Sequence, residues 1–587
     1  MKPQTRKIAI IGIGPRGGYA LERYILELAG ESLLTNIHIS LFEQTGYLGN
    51  GQVYNLGQNP SNWINITERI LDLPEREQIK TESIAVDAFP SYKVWASKDY
   101  AIISEETPDT YPPRSQIGEF LSQRLQSLLE PLKQADIVSI HTEPVQIVKW
   151  LDNGKLEVDT GKTLHKDFDE VLLTIGHQPV EPSQQITDWE NHVSAQEDSY
   201  LYQSPYPTTN YLENKNLRAS SSVAIRGFGL AMIDVVRAIA NKFGEFIITD
   251  QKSKLCDFQT DLYIKDLFIP FSLDGLPPVP KPLNAHIDNW FKPSEESLAT
   301  FEEIIGDKKN QESAVGPQFV IDAFVPIASS IYTNLPKINN QYSKKEIENV
   351  IGSWLNDQSF KHQLLLSTEL SAERSMRDYI DMAIGKTISS LDFCIGQVWR
   401  HCQPTLYSAL SFNDCSDKVF ADIIKLDEST KRYSYGPPVE SIQQLLALLK
   451  SGILNLDFVS DPDIELIDGG WKLSNETKSI SANFMIDSVL DAPKIKAVRS
   501  PLVQSLLSDD LMQAVHDDLG IVTNENSYLI SKDANRKVPI ALLGRLAKGT
   551  IIGVDAILEC FGDRPREWAV QAAQHHKNYL NQYSDSN

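Results

Sequence analysis

Residues Ile8-Ala9-Ile10-Ile11-Gly12-Ile13-Gly14-Pro15-Arg16-Gly17 form a short apolar run closed by the pattern G-x-G-x-x-G. An apolar, β-branched run of this length reads as a buried parallel strand. Beyond it, Ala20, Leu21, Tyr24, Ile25 and Leu28 recur at helical spacing. Strand, glycine turn and helix in that order build a dinucleotide-binding turn. Gly12 permits the tight turn, Gly14 lets a pyrophosphate approach the backbone, and Gly17 lets the helix pack close to the strand. The helix N-terminus attracts the phosphate charge. Pro15 and Arg16 lie inside the turn, and Arg16 faces the pyrophosphate by position. Ile37 to Phe42 reads as the second strand and ends at Glu43, an acid suited to the ribose hydroxyls of an adenosine. Glu43 lies 43 − 12 = 31 residues after Gly12, longer than the typical separation of about 20. A longer first helix absorbs the difference.

A weaker copy of the pattern occurs further on. Ser222-Val223-Ala224-Ile225 precedes Arg226-Gly227-Phe228-Gly229-Leu230-Ala231-Met232, and a helical pattern runs through Val235, Val236, Ile239 and Ala240. Gly227 and Gly229 take the first two glycine positions; the third is Ala231 or Met232. Phe246 to Thr249 reads as the next strand, ending at Asp250, which suits a free ribose. Two such turns predict two dinucleotide domains, one for FAD and one for NAD(P)H. The competing reading of the second turn is a nucleotide fold kept as scaffold.

Composition narrows the partners. The chain has 587 residues, 55 Lys plus Arg and 78 Asp plus Glu, a formal charge of 55 − 78 = −23. Such acidity disfavours nucleic acid and anionic membranes as partners. The five cysteines contain no Cys-x-x-Cys, which speaks against a disulfide scaffold or a thiolate zinc site. The eleven histidines include no His-Glu-x-x-His, so no metal is expected, and Gly-x-Ser-x-Gly is absent. No run is apolar enough to span a bilayer. The sequence therefore predicts a cytoplasmic protein with a small-molecule substrate.

The chain resembles the FAD-NAD(P)-binding family of two-domain flavoproteins, relatives of the N-hydroxylating flavin monooxygenases. The Gly-Pro-Arg-Gly turn at Gly14–Gly17 is the most specific piece. Gly49-Asn50-Gly51-Gln52-Val53-Tyr54 after Glu43 resembles the family's glycine-rich segment, and Trp63-Ile64-Asn65-Ile66-Thr67 its Asn-Thr segment beside the flavin. Tyr111-Pro112-Pro113-Arg114 resembles a Pro-Arg block. Val171 to His177, with Thr174 and Gly176, resembles an Ala-Thr-Gly-His strand. Tyr435-Gly436-Pro437-Pro438 resembles a late Gly-Pro-Pro block. Asp250-Gln251-Lys252-Ser253 stands where members often carry Arg-Gly-Gly. The resemblance implies an FAD-dependent oxidoreductase, linked to NAD(P)H, whose sharpest version is hydroxylation of a small amine or amino acid. The alternatives are a flavin reductase or dehydrogenase without oxygen insertion, and a non-catalytic flavin-binding scaffold whose second site has decayed.

The fold expected is α/β: two Rossmann-like dinucleotide-binding domains, the first of the three-layer FAD type, with a helical insertion. The FAD domain takes residues 1–215 and 480–575, the second domain 216–290 and 440–479, and the insertion 291–439. Strands at Ile137–Ile140, Val145–Val148 and Lys155–Val158 read as a small β insertion around the Asp152-Asn153-Gly154 turn. Helices are expected near Ser294–Ile305, Lys344–Leu355, Glu373–Trp399 and Val439–Lys450. Phe484 to Asp491 reads as a strand crossing back to the first domain. Pro539 to Gly544 is a final strand, with a flavin-capping helix beginning near Ile551, and the polar tail after Ala573, with His575-His576, is expected to be solvated. Among catalytic candidates, His177 lies at the carboxyl end of a core strand, where ligands bind in open sheets; it could bond flavin or substrate, or hold the loop. Arg114 could contact a phosphate or an acidic substrate, or form a salt bridge. Cofactor contacts are expected from Gly12, Gly14, Pro15, Arg16, Gly17, Glu43, Asn65, Thr174, Gly176 and Gly544, with Gly227 and Gly229 in the second site.

Overall fold

A computed structural model describes residues 5–98, 102–338, 341–489, 495–516, 519–533, 536–554 and 556–584. Alternate residues of its first strand, Arg6–Ile11, face two different cores, because a pleated strand sends successive side chains to opposite faces. Ile8 and Ile10 pack with Leu21, Tyr24 and Ile25 of the helix Pro15–Gly30, with Leu128 of Arg114–Gln134, and with Trp568 of Asp563–Ser584. Ala9 and Ile11 pack on the other side with Val148, Leu156, Val158 and Phe168. The result is three layers: helices, a central sheet and a small antiparallel sheet.

The central sheet runs in the order Tyr528–Ile530, Lys537–Leu542, Glu170–Leu173, Arg6–Ile11, Ile37–Phe42, Val138–His141. All its pairings are parallel except that of Tyr528–Ile530 with Lys537–Leu542. The small sheet is Ile147–Trp150, Leu156–Asp159 and Leu164–Phe168. The run at Ile137–Ile140 therefore does not belong to the β insertion: Val138–His141 joins the central sheet beside Ile37–Phe42.

A second parallel sheet has the order Tyr200–Tyr202, Phe484–Asp487, Val223–Arg226, Phe268–Phe271. Val223 and Ile225 face the helix Leu230–Phe243, and Ala224 faces Trp189 and Trp471 on the other side. Phe484–Asp487 thus lies in the second sheet, so the chain crosses back after Asp487; Leu490 and Asp491 lie outside the described residues. Glu245–Asp250 also departs from expectation. It pairs antiparallel with Leu255–Gln259 as a separate hairpin, not as a parallel neighbour of Val223–Arg226. Its side chains are half-exposed or exposed throughout, so the sheet gains nothing by taking it in.

The insertion is helical and shares one core with the second sheet: Phe324, Trp399, Ile423 and Tyr433 cluster with Ile225, Val236 and Ile239. Glu295–Gly306, Lys344–Asn356 and Val439–Lys450 fall where expected. Glu373–Trp399 is two helices, Ala372–Ala383 and Leu391–Leu410. Gly385 at φ +69° ends the first, since a left-handed residue after a helix breaks it cheaply only as glycine.

The C-terminus differs most. Asp563–Ser584 is one long helix, and the helix expected near Ile551 is a short one at Ile557–Cys560. It does not fray after Ala573, because it packs against Pro15–Gly30. His576 is fully buried, where the polar tail suggested solvation, while His575 stays partly exposed and pairs with Glu170 at 3.1 Å. Among the described residues no helix is long and apolar enough to cross a membrane.

Candidate functional site

Three glycine features build the first turn. Gly12 adopts φ +90°, and a β-carbon there would lie 2.5 Å from the carbonyl oxygen of Thr174. On Gly17 it would lie 2.2 Å from the carbonyl oxygen of Gly12. Gly14 forms the N-cap of the helix Pro15–Gly30 and supplies no side-chain cap. The first N–H groups of that helix are left as donors for a ligand, with the positive end of the helix dipole behind them.

These elements open on a cleft of about 1070 Å³, large enough for a cofactor and a small ligand together. Gly12, Gly14, Pro15 and Arg16 line it, with Glu43, Asn50–Tyr54, Arg114, Thr174–His177 and Gly544. The Glu43 carboxylate accepts from Ile13 N at 2.9 Å and from Thr45 N and Oγ1 at 3.0 and 2.6 Å. It is thereby held at the end of its strand, where a ribose would lie. Thr174 Oγ1 donates to the Gly12 carbonyl and seals the turn from behind. Arg16 crosses the cleft and donates to the Val554 carbonyl at 3.3 Å. His177 is exposed at the rim.

Not every expected residue lines the cleft. Gly17 works from behind, through helix packing. Asn65 lies outside the lining; its Nδ2 donates to the Tyr435 carbonyl at 2.7 Å, and Lys281 Nζ donates to its Oδ1 at 3.2 Å. Burial pushes the Lys281 pKa down to about 7. Gly227 and Gly229 are also outside the lining. A β-carbon on Gly227 would lie 2.6 Å from Ser488 Oγ. Asp250 is on the exposed hairpin, capped by Ser253, and so is not placed as the acid of a parallel second strand.

Arg114 does more than either sequence reading proposed. It lines the cleft and also reaches Asp234, 3.6 Å away, on the helix after the second glycine turn. Tyr206 donates to the same Asp234 oxygen at 2.6 Å, and Arg237 stands 3.8 Å from the other. Burial raises the Asp234 pKa although the two arginines oppose the shift. Arg114 Nε is buried with no hydrogen-bond partner among the described residues, a donor with spare capacity beside the cleft.

The opposite wall was not legible in the sequence. Ala421, Ile424, Lys425, Glu428 and Lys431 line the cleft from one face of the helix Asp417–Ser434, at the 3- and 4-residue spacing a helix requires. Tyr435 follows them. Glu428 binds Lys431 at 2.8 Å and also Lys548, which follows the central-sheet strand Lys537–Leu542. The spacing was visible, but nothing in it said which face met a cofactor cleft.

The uncapped helix, the ribose-side acid and the open cleft fit FAD, with Glu43 toward the adenosine, the Gly12–Gly17 turn toward the pyrophosphate, and Tyr54, Arg114 and Tyr435 farther along. A three-layer glycine-turn domain is joined to a second parallel sheet with its own glycine turn, the architecture of two Rossmann-like dinucleotide-binding folds. Residues 9–178 match the FAD-NAD(P)-binding family model. The chain is 24% identical over 244 residues to a nitrosuccinic acid synthase of Aspergillus oryzae; that match spans 40% of this chain and 36% of that protein. Among solved structures, L-lysine 6-monooxygenase from Pseudomonas syringae aligns at a TM-score of 0.44 with 12% identity, over 97% of this chain and 99% of that one. Cyclohexanone monooxygenase from Rhodococcus sp. Phi1, bound to NADP+, aligns at 0.43 with 12% identity, over 98% and 85%.

Proposed function

We propose that this chain is an FAD-dependent oxidoreductase that takes electrons from NAD(P)H and hydroxylates a small amine or amino acid. The cleft carries the reading: it joins an uncapped helix N-terminus and a ribose-side acid to a polar far end built from two domains. Bound FAD would supply the redox chemistry and the activation of oxygen. The protein's part is positional. The helix N-terminus and Arg16 hold the phosphates, Glu43 accepts ribose hydroxyls, and Arg114, Tyr54 and Tyr435 shape the far end. The wall from Asp417–Ser434 excludes water and faces the substrate. The family of residues 9–178 and the nitrosuccinic acid synthase likeness support an oxidative reaction on a nitrogen-bearing small molecule.

The second nucleotide fold favours a further reading. Asp250 lies on a hairpin outside the sheet and not at the end of a parallel second strand. That placement suits a second domain that serves as scaffold, with the chain acting as a flavin-binding protein and not as a reductase.

The purified protein is mixed with NADH or NADPH without air while its visible spectrum is recorded. Bleaching of flavin bands by either supports the oxidoreductase. Bound flavin that neither donor bleaches supports the scaffold. A protein that stays colourless with added FAD refutes both. Heavy oxygen from labelled O2 appearing in the product separates hydroxylation from a reductase or dehydrogenase.

A further inference from the structure

A buried carboxylate sits behind the far end of the cleft. Asp427 is 3% exposed and accepts from three neutral donors: Trp399 Nε1 and Gln403 Nε2 on one oxygen, each at 2.9 Å, and Tyr407 Oη on the other at 3.1 Å. Tyr407 Oη lies 3.4 Å from Tyr435 Oη, and Tyr435 lines the cleft.

The direction of these bonds follows from the carboxylate. An ionised carboxylate only accepts, so the Tyr407 proton points to Asp427. Tyr407 then has no proton for Tyr435, and the Tyr435 hydroxyl donates to Tyr407. Its own lone pairs accept no bond among the described residues, and Tyr435 lines the cleft. Tyr435 therefore presents an acceptor to whatever binds there.

Three contacts fix that acceptor. The Tyr435 carbonyl is held by Asn65, its ring lies 5.1 Å from Lys431 Nζ, and its hydroxyl is held by Tyr407. Tyr407 is itself packed on the C-terminal segment, where a β-carbon on Gly553 would lie 2.6 Å from its ring. The charged groups facing the two hydroxyls are Asp427, Lys431 and Glu559. Burial pushes the pKa of both hydroxyls above the ordinary phenol value, so both are neutral at physiological pH.

We propose that Tyr435, Tyr407 and Asp427 form a proton wire that deprotonates a substrate ammonium group bound in the cleft, an inference that rests on the amine reading above. The ammonium gives a proton to Tyr435 Oη as the Tyr435 proton passes to Tyr407 Oη and the Tyr407 proton passes to Asp427 Oδ2. One N–H bond breaks, one carboxyl O–H forms, and both tyrosines end as they began. The products are a neutral amine with a free lone pair and a neutral carboxylic acid. The exchange leaves no net charge on either partner. Tyr435 is the residue that touches substrate; Tyr407 and Asp427 act through it as positioning residues.

The test uses the FAD-loaded protein and the common L-amino acids as probes, with NADH or NADPH as donor. For an amino acid that is hydroxylated, wild-type kcat/KM stays nearly level as the pH falls below the amine's own pKa. Tyr435→Phe and Tyr407→Phe instead track the free-amine fraction. They lose about 100-fold at neutral pH and recover about tenfold per pH unit on raising the pH. The binding of the amine and of FAD changes little. Infrared difference spectra on adding the amine to the oxidised protein show the C=O band of a protonated carboxyl in wild type, and Asp427→Asn and Tyr407→Phe both abolish it. Wild-type pH profiles and an unchanged carboxyl band in Tyr407→Phe, with FAD still bound, overturn the wire and leave the flavoprotein reading standing. A flavin that NAD(P)H bleaches but that hydroxylates no amine overturns the amine reading and the wire with it. Absence of FAD binding overturns the flavoprotein reading itself.

Discussion

The guanidinium of Arg16 lies against the α-carbon of Gly544, so close that a β-carbon on Gly544 would stand 2.5 Å from its Nη1. Arg16 belongs to the glycine turn at the N-terminus and Gly544 follows the last strand of the same sheet. Their contact closes the cleft from two distant parts of the chain. Gly544 also has φ +104°, where a side chain costs about 1–3 kcal/mol. Gly544→Ala is expected to displace Arg16 and weaken FAD binding by about tenfold or more, as read by FAD titration. In an Arg16→Ala background the same change costs less, and equal losses in both backgrounds would disprove the contact.

Gly17 is the most constrained residue of the turn. A β-carbon there would meet the Gly12 carbonyl at 2.2 Å and Thr174 Oγ1 at 2.6 Å. The first obstacle is backbone and cannot rotate away. Gly17→Ala should cost about 1–3 kcal/mol of stability through overpacking and release bound FAD. A melting temperature and FAD content equal to those of wild type would contradict this.

Asp234 joins the two sheets through Arg114, Arg237 and Tyr206. Removing one partner of a buried pair leaves the others uncompensated, at a cost of about 3–5 kcal/mol. Asp234→Ala should approach that loss in urea unfolding. Asp234→Asn keeps an acceptor for Tyr206 and should lose less. The reverse order would show that the network does not bind the sheets together.

His576 predicts acid sensitivity. Its Nε2 donates to the carbonyls of Leu33 and Thr35 at 3.1 and 3.0 Å, and its buried Nδ1 has no partner among the described residues. Burial, with Arg6 adding to it, lowers its pKa from the ordinary 6.5 to about 4. Between those values the unfolded chain binds more protons than the folded one, so stability falls as the pH drops through that window. The loss is complete below the folded pKa and amounts to roughly 3 kcal/mol. His576→Gln keeps a donor for the two carbonyls and should flatten this part of the stability profile. Urea midpoints of the two proteins that stay parallel across the window would refute it.

The first glycine turn was legible because its chemistry is local. Strand, Gly12, Gly14, Gly17 and helix occupy 25 residues, from Arg6 to Gly30, and each needs only its neighbours to be recognised. Glu43 was legible from its place at the end of a strand, and the helix Val439–Lys450 from its helical pattern. Asp250 misled, because strand propensity does not say what a strand pairs with. Glu245–Asp250 finds its partner in Leu255–Gln259 and leaves the sheet. The C-terminal helix misled for a related reason: a polar composition reads as solvent, yet one face of Asp563–Ser584 packs on Pro15–Gly30 and buries His576.

Sequence alone determined the phosphate-binding end of this protein, the central strand that leads to it, and the presence of a second glycine turn. Those features rest on backbone conformations that only glycine tolerates and on apolar spacings written along the chain. Tertiary structure decided the other end of the cleft. Arg114 with Asp234, Glu428 with Lys548, and Tyr435 with Tyr407 each come from segments 28 to 120 residues apart. No local propensity encodes such meetings; they arise only when segments distant in sequence fold against one another.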